Sequence, residues 1–114
     1  MSECIFCKIV ARTIPAALLY EDDLVVAFDD VNPQAPTHTL VIPRTHVGSM
    51  TDLQESDAGL LGRLMLVGNK IAKQKGIAGD GYRLVVNTGA HGGQSVFHLH
   101  LHVLGGRHLA WPPG

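Results

Sequence analysis

Phe97-His98-Leu99-His100-Leu101-His102-Val103-Leu104 alternates imidazole and aliphatic side chains along its middle. In an extended chain, successive side chains point to opposite faces. The stretch therefore predicts a strand within Ser95 to Leu104. His98, His100 and His102 share one face of it, and Leu99, Leu101 and Val103 share the other. Neighbouring rings on the histidine face come ~6.5 Å apart along the strand. Three imidazoles in a row are poor filling for a plain core. Near neutral pH imidazole is a nucleophile, a proton carrier or a metal ligand.

Working outward from that strand, Thr88 to Gln94 reads as a glycine-rich loop. Gly81 to Asn87 reads as a further strand, with Leu84 and Val86 opposite Val85. Ser56 to Lys75 is the one long helix, with Leu60, Leu64, Val67 and Ile71 at helical spacing. Leu61, Met65 and Ala72 form a second stripe, so the apolar face is wider than one sheet contact needs and predicts an added dimer contact. Ser56 serves as its cap, Asp57 suits its first turn, and Lys73, Lys75 and Gly76 mark its end. Gly62 and Gly68 each weaken the helix by ~1 kcal/mol relative to alanine, which fits a close approach of another backbone.

His38 to Ile42 is a β-branched and apolar strand closed by Pro43. Leu18 to Tyr20 and Leu24 to Phe28 form a hairpin around Glu21-Asp22-Asp23. Asp30 to Pro36 is a loop, because its two prolines exclude a central strand. Ile14-Pro15 interrupts a short N-terminal amphipathic helix, and Gly105 to Gly114 is a tail. Strands in succession around one long helix predict an α+β domain over residues 1–114. Its sheet is antiparallel, with about five strands.

The 114 residues carry 9 basic and 10 acidic side chains, with 46% hydrophobic and 17% charged. That is a globular composition with no basic stripe for nucleic acid and no acidic tail. Its apolar runs fall far short of the ~20 residues of a membrane span. Met1-Ser2-Glu3-Cys4 shows no leader pattern, so a cytoplasmic protein is expected. A core of this size is modest, and dimerisation would add to it. Cys4-x-x-Cys7 has three readings: small apolar filling, a redox pair, or half of a tetrahedral zinc site. In the last case two histidines complete the set, since there is no third cysteine.

His98-x-His100-x-His102-Val103-Leu104 resembles the signature of the histidine triad (HIT) family. Asp30-Val31-Asn32-Pro33-Gln34-Ala35-Pro36-Thr37-His38, Leu40-Val41-Ile42-Pro43, Gly92-Gly93-Gln94-Ser95, Leu104-Gly105-Gly106-Arg107 and Trp111-Pro112-Pro113-Gly114 match it as well. The resemblance covers nearly the whole chain and points to the Hint branch. It implies a HIT-like fold and a homodimeric purine nucleoside 5′-phosphoramidase. His100 then attacks phosphorus to form a nucleotidyl-histidine that water cleaves. With an ordinary pKa, roughly three quarters of such rings are neutral at pH 7.

By the same resemblance, Ser95 passes a proton to the leaving amine, and Gly93 and Gln94 turn backbone N–H groups toward phosphate. His102 contacts that phosphate, Asn87 donates to the 5′ side, and His38 joins the cluster and orients the nucleophile. Asp30 accepts the ribose hydroxyls. Phe6, Ile9, Ile14, Phe28 and Val31 form the purine slot. Some bacterial relatives complete the cysteine pair with the positions of His46 and His98. That gives a closed structural zinc site, with no cofactor for catalysis. The tail of one subunit approaches the partner's site.

Plainer readings stand beside these. The histidine face is a solvated strand face, or the triad is itself a catalytic zinc site. Asp30 is a turn carboxylate, and Ser95 is a loop hydroxyl. Two other functions compete: a dinucleoside polyphosphate hydrolase of the sister branch, and a non-catalytic nucleotide-binding scaffold. The Trp-Pro-Pro-Gly tail and Gly-Gly-Gln-Ser favour the phosphoramidase over the first. His100, Ser95 and Asn87 argue against the second.

Overall fold

The computed structural model describes residues 3–114; Met1 and Ser2, part of the stretch read above for a leader, lie outside them. The element order is α1 (Ile5–Val10), β1 (Leu18–Glu21), β2 (Val25–Asp29), β3 (Thr37–Pro43), α2 (Ala58–Gln74), β4 (Tyr82–Val85), α3 (Gly89–Gly92) and β5 (Leu101–Gly105). The five strands form one antiparallel sheet in the order β1-β2-β3-β5-β4. The α+β architecture expected from the sequence is the one observed.

Alternation sorts the core into two layers. Val25, Ala27, Val41, Leu99, Leu101 and Val103 face α2, where they meet Leu64, Val67, Ile71 and Ala72. Val26, Phe28, Leu40 and Ile42 face the other way and meet Phe6 and Ile9 of α1. Strands β2 and β3 are central and covered on both faces, so they read as almost continuous apolar runs. Among the described residues no helix is long and apolar enough to cross a membrane.

Several boundaries differ from expectation for identifiable reasons. The strand expected from Ser95 begins only at Leu101. Ahead of it the chain spends its polar groups on the segment after β3: the Leu99 N–H donates to the Val47 carbonyl at 2.6 Å. The face assignment survives, because Leu99, Leu101 and Val103 all pack in the α2 layer. Helix α2 begins at Ala58, and Glu55–Asp57 is a 3-10 turn ahead of it. Asp57, not Ser56, stands at the cap position, where its carboxylate accepts the Gln54 N–H at 2.9 Å.

Only Tyr82–Val85 of the expected strand pairs with β5. The loop from Thr88 carries the short helix α3, closed by Gly93 at a φ of 82°. The second helical stripe is broken: Ala72 is buried and Leu61 half-buried, but Met65 is 42% exposed. Gly68 does mark a close approach, though to side chains. A Cβ there would lie 2.9 Å from Leu101 Cδ2 and 3.2 Å from Leu84 Cδ2, whereas one on Gly62 meets open space.

Candidate active site and candidate metal centre

The histidine face of the β5 segment lies against α1 and the end of β3. His38 on β3 reaches His102 on β5, with Nε2 to Nδ1 at 2.8 Å. The Gln34 N–H donates to His38 Nδ1 at 3.0 Å, so that nitrogen carries no proton. A neutral His38 therefore holds its proton on Nε2 and gives it to His102 Nδ1. His102 in turn must carry its own proton on Nε2. That N–H is buried and has no partner among the described residues. A buried donor left unpaired is costly and asks for a reason.

The other two rings are set by main-chain carbonyls. His100 Nδ1 lies 2.8 Å from the His98 carbonyl, which can only accept, so His100 carries its proton there. Its Nε2 is left as a lone pair. His98 Nε2 lies 2.9 Å from the Pro43 carbonyl, which puts its proton on Nε2 and leaves Nδ1 as a lone pair. Adjacent members of the triad thus have opposite tautomers. The His100 and His102 ring centroids are 4.9 Å apart. Neighbouring rings accordingly offer a lone pair in one case and an N–H donor in the other.

Burial lowers His38, His98 and His102 below the ordinary imidazole value. It pushes His102 down to about 4, with the His100 and His38 rings adding to the effect. Burial also lowers His38, against the pull of the Asp30 carboxylate 3.5 Å from its Nε2. A neutral His38 agrees with its Nδ1 accepting a backbone N–H.

The remaining predicted positions fall unevenly. Asp30 is half-buried, and one of its oxygens accepts the Asn32 N–H at 2.9 Å. Asn87 is half-buried, while Ser95 and Gly93 are exposed. The Gly93 and Gln94 N–H groups are both engaged within the loop. They close α3 on the Ala90 and Gly89 carbonyls, at 3.1 and 3.0 Å. Phe6, Ile9 and Phe28 are buried together with Ile14 against them. Val31 is fully exposed and stands outside that cluster.

Sequence reasoning missed the work of the Gln94 side chain. Its amide donates to the Gly48 carbonyl at 2.8 Å and the Val96 carbonyl at 3.1 Å, and accepts the Gly89 N–H at 3.0 Å. It clamps the glycine-rich loop to the segment after β3. The only available signal was a bifunctional amide inside a glycine-rich turn.

Cys4, Cys7, His46 and His98 bring four ligand atoms within 4.8 Å of one another. Cys4 precedes α1 and its sulfur accepts the Cys7 N–H at 3.4 Å, which turns both thiols to one side. The sulfur–nitrogen distances are 3.4 Å (Cys4 to His98), 3.2 Å (Cys7 to His46) and 3.6 Å (Cys7 to His98). Tetrahedral zinc bonded to one sulfur and one nitrogen separates them by about 3.5 Å. The fit extends to the tautomer, since His98 offers Nδ1 as a lone pair because Pro43 holds its other nitrogen. Two thiolates and two imidazoles suit zinc, which would pin α1 to the sheet with no open position for water.

A second cluster, Asp30, His38 and His102, is equally compact. It fails the same test. The nitrogen His38 would turn to a metal is the one that carries its proton. A zinc held by the triad alone fails too, because His98 Nδ1 faces the thiols and His100 Nδ1 faces a carbonyl.

The HIT domain family matches residues 11–109, and the chain belongs to that family. It is 53% identical over 107 residues to the purine nucleoside phosphoramidase of Escherichia coli K12, covering 94% of this chain and 90% of that one. The crystal structure of a HIT family hydrolase from Legionella pneumophila Philadelphia 1 is 46% identical. It superposes with a TM-score of 0.95 over 98% of this chain and 100% of that one. A zinc-bound histidine triad family protein from Mycobacterium smegmatis is 36% identical, with a TM-score of 0.81 over 93% and 76% of the two chains.

Proposed function

We propose that the protein is a purine nucleoside phosphoramidase, which cleaves the P–N bond of adenosine-type 5′-phosphoramidates through a nucleotidyl-His100 intermediate. The observation that carries this reading is the paired tautomer state of His100 and His102. His100 Nε2 attacks phosphorus, and the P–N bond breaks with its electron pair on the departing amine. Ser95, which is exposed to solvent, gives its hydroxyl proton to that amine and takes one back from water. The phosphorylated ring is then cationic, with its Nδ1–H still on the His98 carbonyl, which strengthens that hydrogen bond. His102 Nε2–H donates to a phosphate oxygen as charge builds there. Water next attacks phosphorus and releases a proton to solvent, which balances the one taken up through Ser95, and neutral His100 leaves. The 53% identity to the Escherichia coli enzyme supports the same substrate class. Its name favours that class over dinucleoside polyphosphates and over a silent scaffold.

In this reading zinc in the four-ligand cradle is structural, and the protein works as a cytoplasmic homodimer. Support for the dimer comes from β4, which ends the sheet, and from α2, which exposes Met65 and Leu66 at 42% and 57%. A second copy laid along that edge would cover both.

Turnover of a fluorogenic adenosine phosphoramidate, quenched in alkali, should yield intact protein carrying one nucleotidyl group on His100. The His100→Ala variant should lose turnover while still binding AMP. Product accumulating with no phosphorus–nitrogen adduct would refute the covalent route.

A further inference from the structure

We propose that the metal cradle and the nucleotide site are one thermodynamic unit: filling Cys4, Cys7, His46 and His98 tightens nucleotide binding, and nucleotide tightens the metal. The links are the His98 main chain and the Phe6 ring. This rests on the zinc and nucleotide readings above and goes beyond both.

His98 faces both ways. Its ring offers Nδ1 to the thiols, and its own carbonyl accepts the His100 Nδ1–H at 2.8 Å. Whatever fixes the His98 ring therefore fixes the group that sets the tautomer of the nucleophile. Phe6 is the second link, because it lies between the two cysteines in sequence. Its buried ring meets His98 edge-on at 5.8 Å and His100 edge-on at 5.3 Å.

Helix α1 has only six residues, too few to hold together alone. Phe6 and Ile9 anchor its buried face. Its first turn has one backbone hydrogen bond, Lys8 N–H to the Cys4 carbonyl at 3.1 Å, and is capped by the Cys4 thiol, and thiols make only weak hydrogen bonds when protonated. A metal would replace those contacts with bonds joining Cys7 to His46, 39 residues on, and to His98, 91 residues on. Order imposed by one ligand need not be imposed again by the other, which is positive cooperativity without a change of shape. The coupling must be reciprocal.

The test is calorimetric titration of AMP into zinc-loaded and chelator-stripped full-length protein. Chelator competition for zinc with and without AMP gives the reciprocal arm and needs only the loaded protein, should the stripped chain lose its fold. Loaded protein should bind AMP on the order of tenfold more tightly, and AMP should tighten zinc by the same factor. Phe6→Leu should keep the cradle but bring both ratios toward one. In proton–nitrogen spectra, His100 should hold a single tautomer in loaded protein and broaden in stripped protein. Equal AMP affinities in two folded forms, with zinc affinity indifferent to AMP, would overturn the coupling. AMP binding to neither form would instead sink the nucleotide reading, and failure to retain zinc would sink the metal reading, and either takes this proposal with it.

Discussion

Changing His102 to Asn separates the titration of that ring from its hydrogen bond. The Asn carbonyl oxygen replaces Nδ1 as acceptor for the His38 Nε2–H, now 2.8 Å away, but cannot take a proton. In the wild type, burial holds the folded-state pKa of His102 at about 4, against 6.5 for the unfolded chain. Between those values the unfolded chain binds a proton that the folded one refuses. The stabilisation is therefore complete above pH 6.5 and is lost as pH falls toward 4. From pH 7 to pH 5 this ring alone should cost about 2 kcal/mol. That is an upper figure, since His102 is half-buried. Zinc in the proposed cradle would also be lost on acidification, as thiolates and imidazoles protonate, but that loss would be common to both proteins and cancel in their difference. Urea midpoints at pH 7 and pH 5 give the answer. With a slope of about 1–3 kcal/mol/M, the wild type should fall by roughly 1 M more than His102→Asn over this interval. Parallel curves would mean that His102 titrates normally when folded. The neutral relay from His38 would then be wrong.

Gly68→Ala sets a helix preference of about 1 kcal/mol against overpacking that costs about 1–3 kcal/mol. Leu101, whose Cδ2 stands 2.9 Å from the added Cβ, is itself buried and cannot swing out to solvent. A net loss of about 1 kcal/mol should lower the thermal midpoint by about 4 °C. It should also slow turnover, because Leu101 sits between His100 and His102 in the chain. A rise in the midpoint would show that the sheet yields. Leu66→Glu puts a charge on the exposed apolar face of α2 and should convert a dimer to a monomer by light scattering; an unchanged mass would place the interface elsewhere.

Face assignment was legible in the histidine stretch because it depends only on the two-residue period of an extended chain. Leu99 and His100 keep their sides although neither belongs to the ladder. The start of the strand was not legible, because it turns on where the Leu99 N–H finds its partner, and that partner is Val47, about fifty residues earlier. The same distinction governs the cap of α2. A serine in a plausible place loses to Asp57, whose position follows from the preceding 3-10 turn. The Gln94 clamp needed Gly48 nearby, which no local pattern announces.

The division of labour within the triad has the same origin. His98, His100 and His102 are one residue type at one spacing, and nothing in their order tells them apart. Their partners do: the Pro43 carbonyl, the His98 carbonyl and the His38 Nε2–H. Each partner decides which nitrogen keeps its proton, and so which ring offers a lone pair and in which direction. The first lone pair is turned to two thiols and the second is left free beside the donor of the third. In the function proposed above, a metal ligand, a nucleophile and a hydrogen-bond donor follow from identical side chains because a main-chain carbonyl or a neighbouring ring stands against a different nitrogen in each.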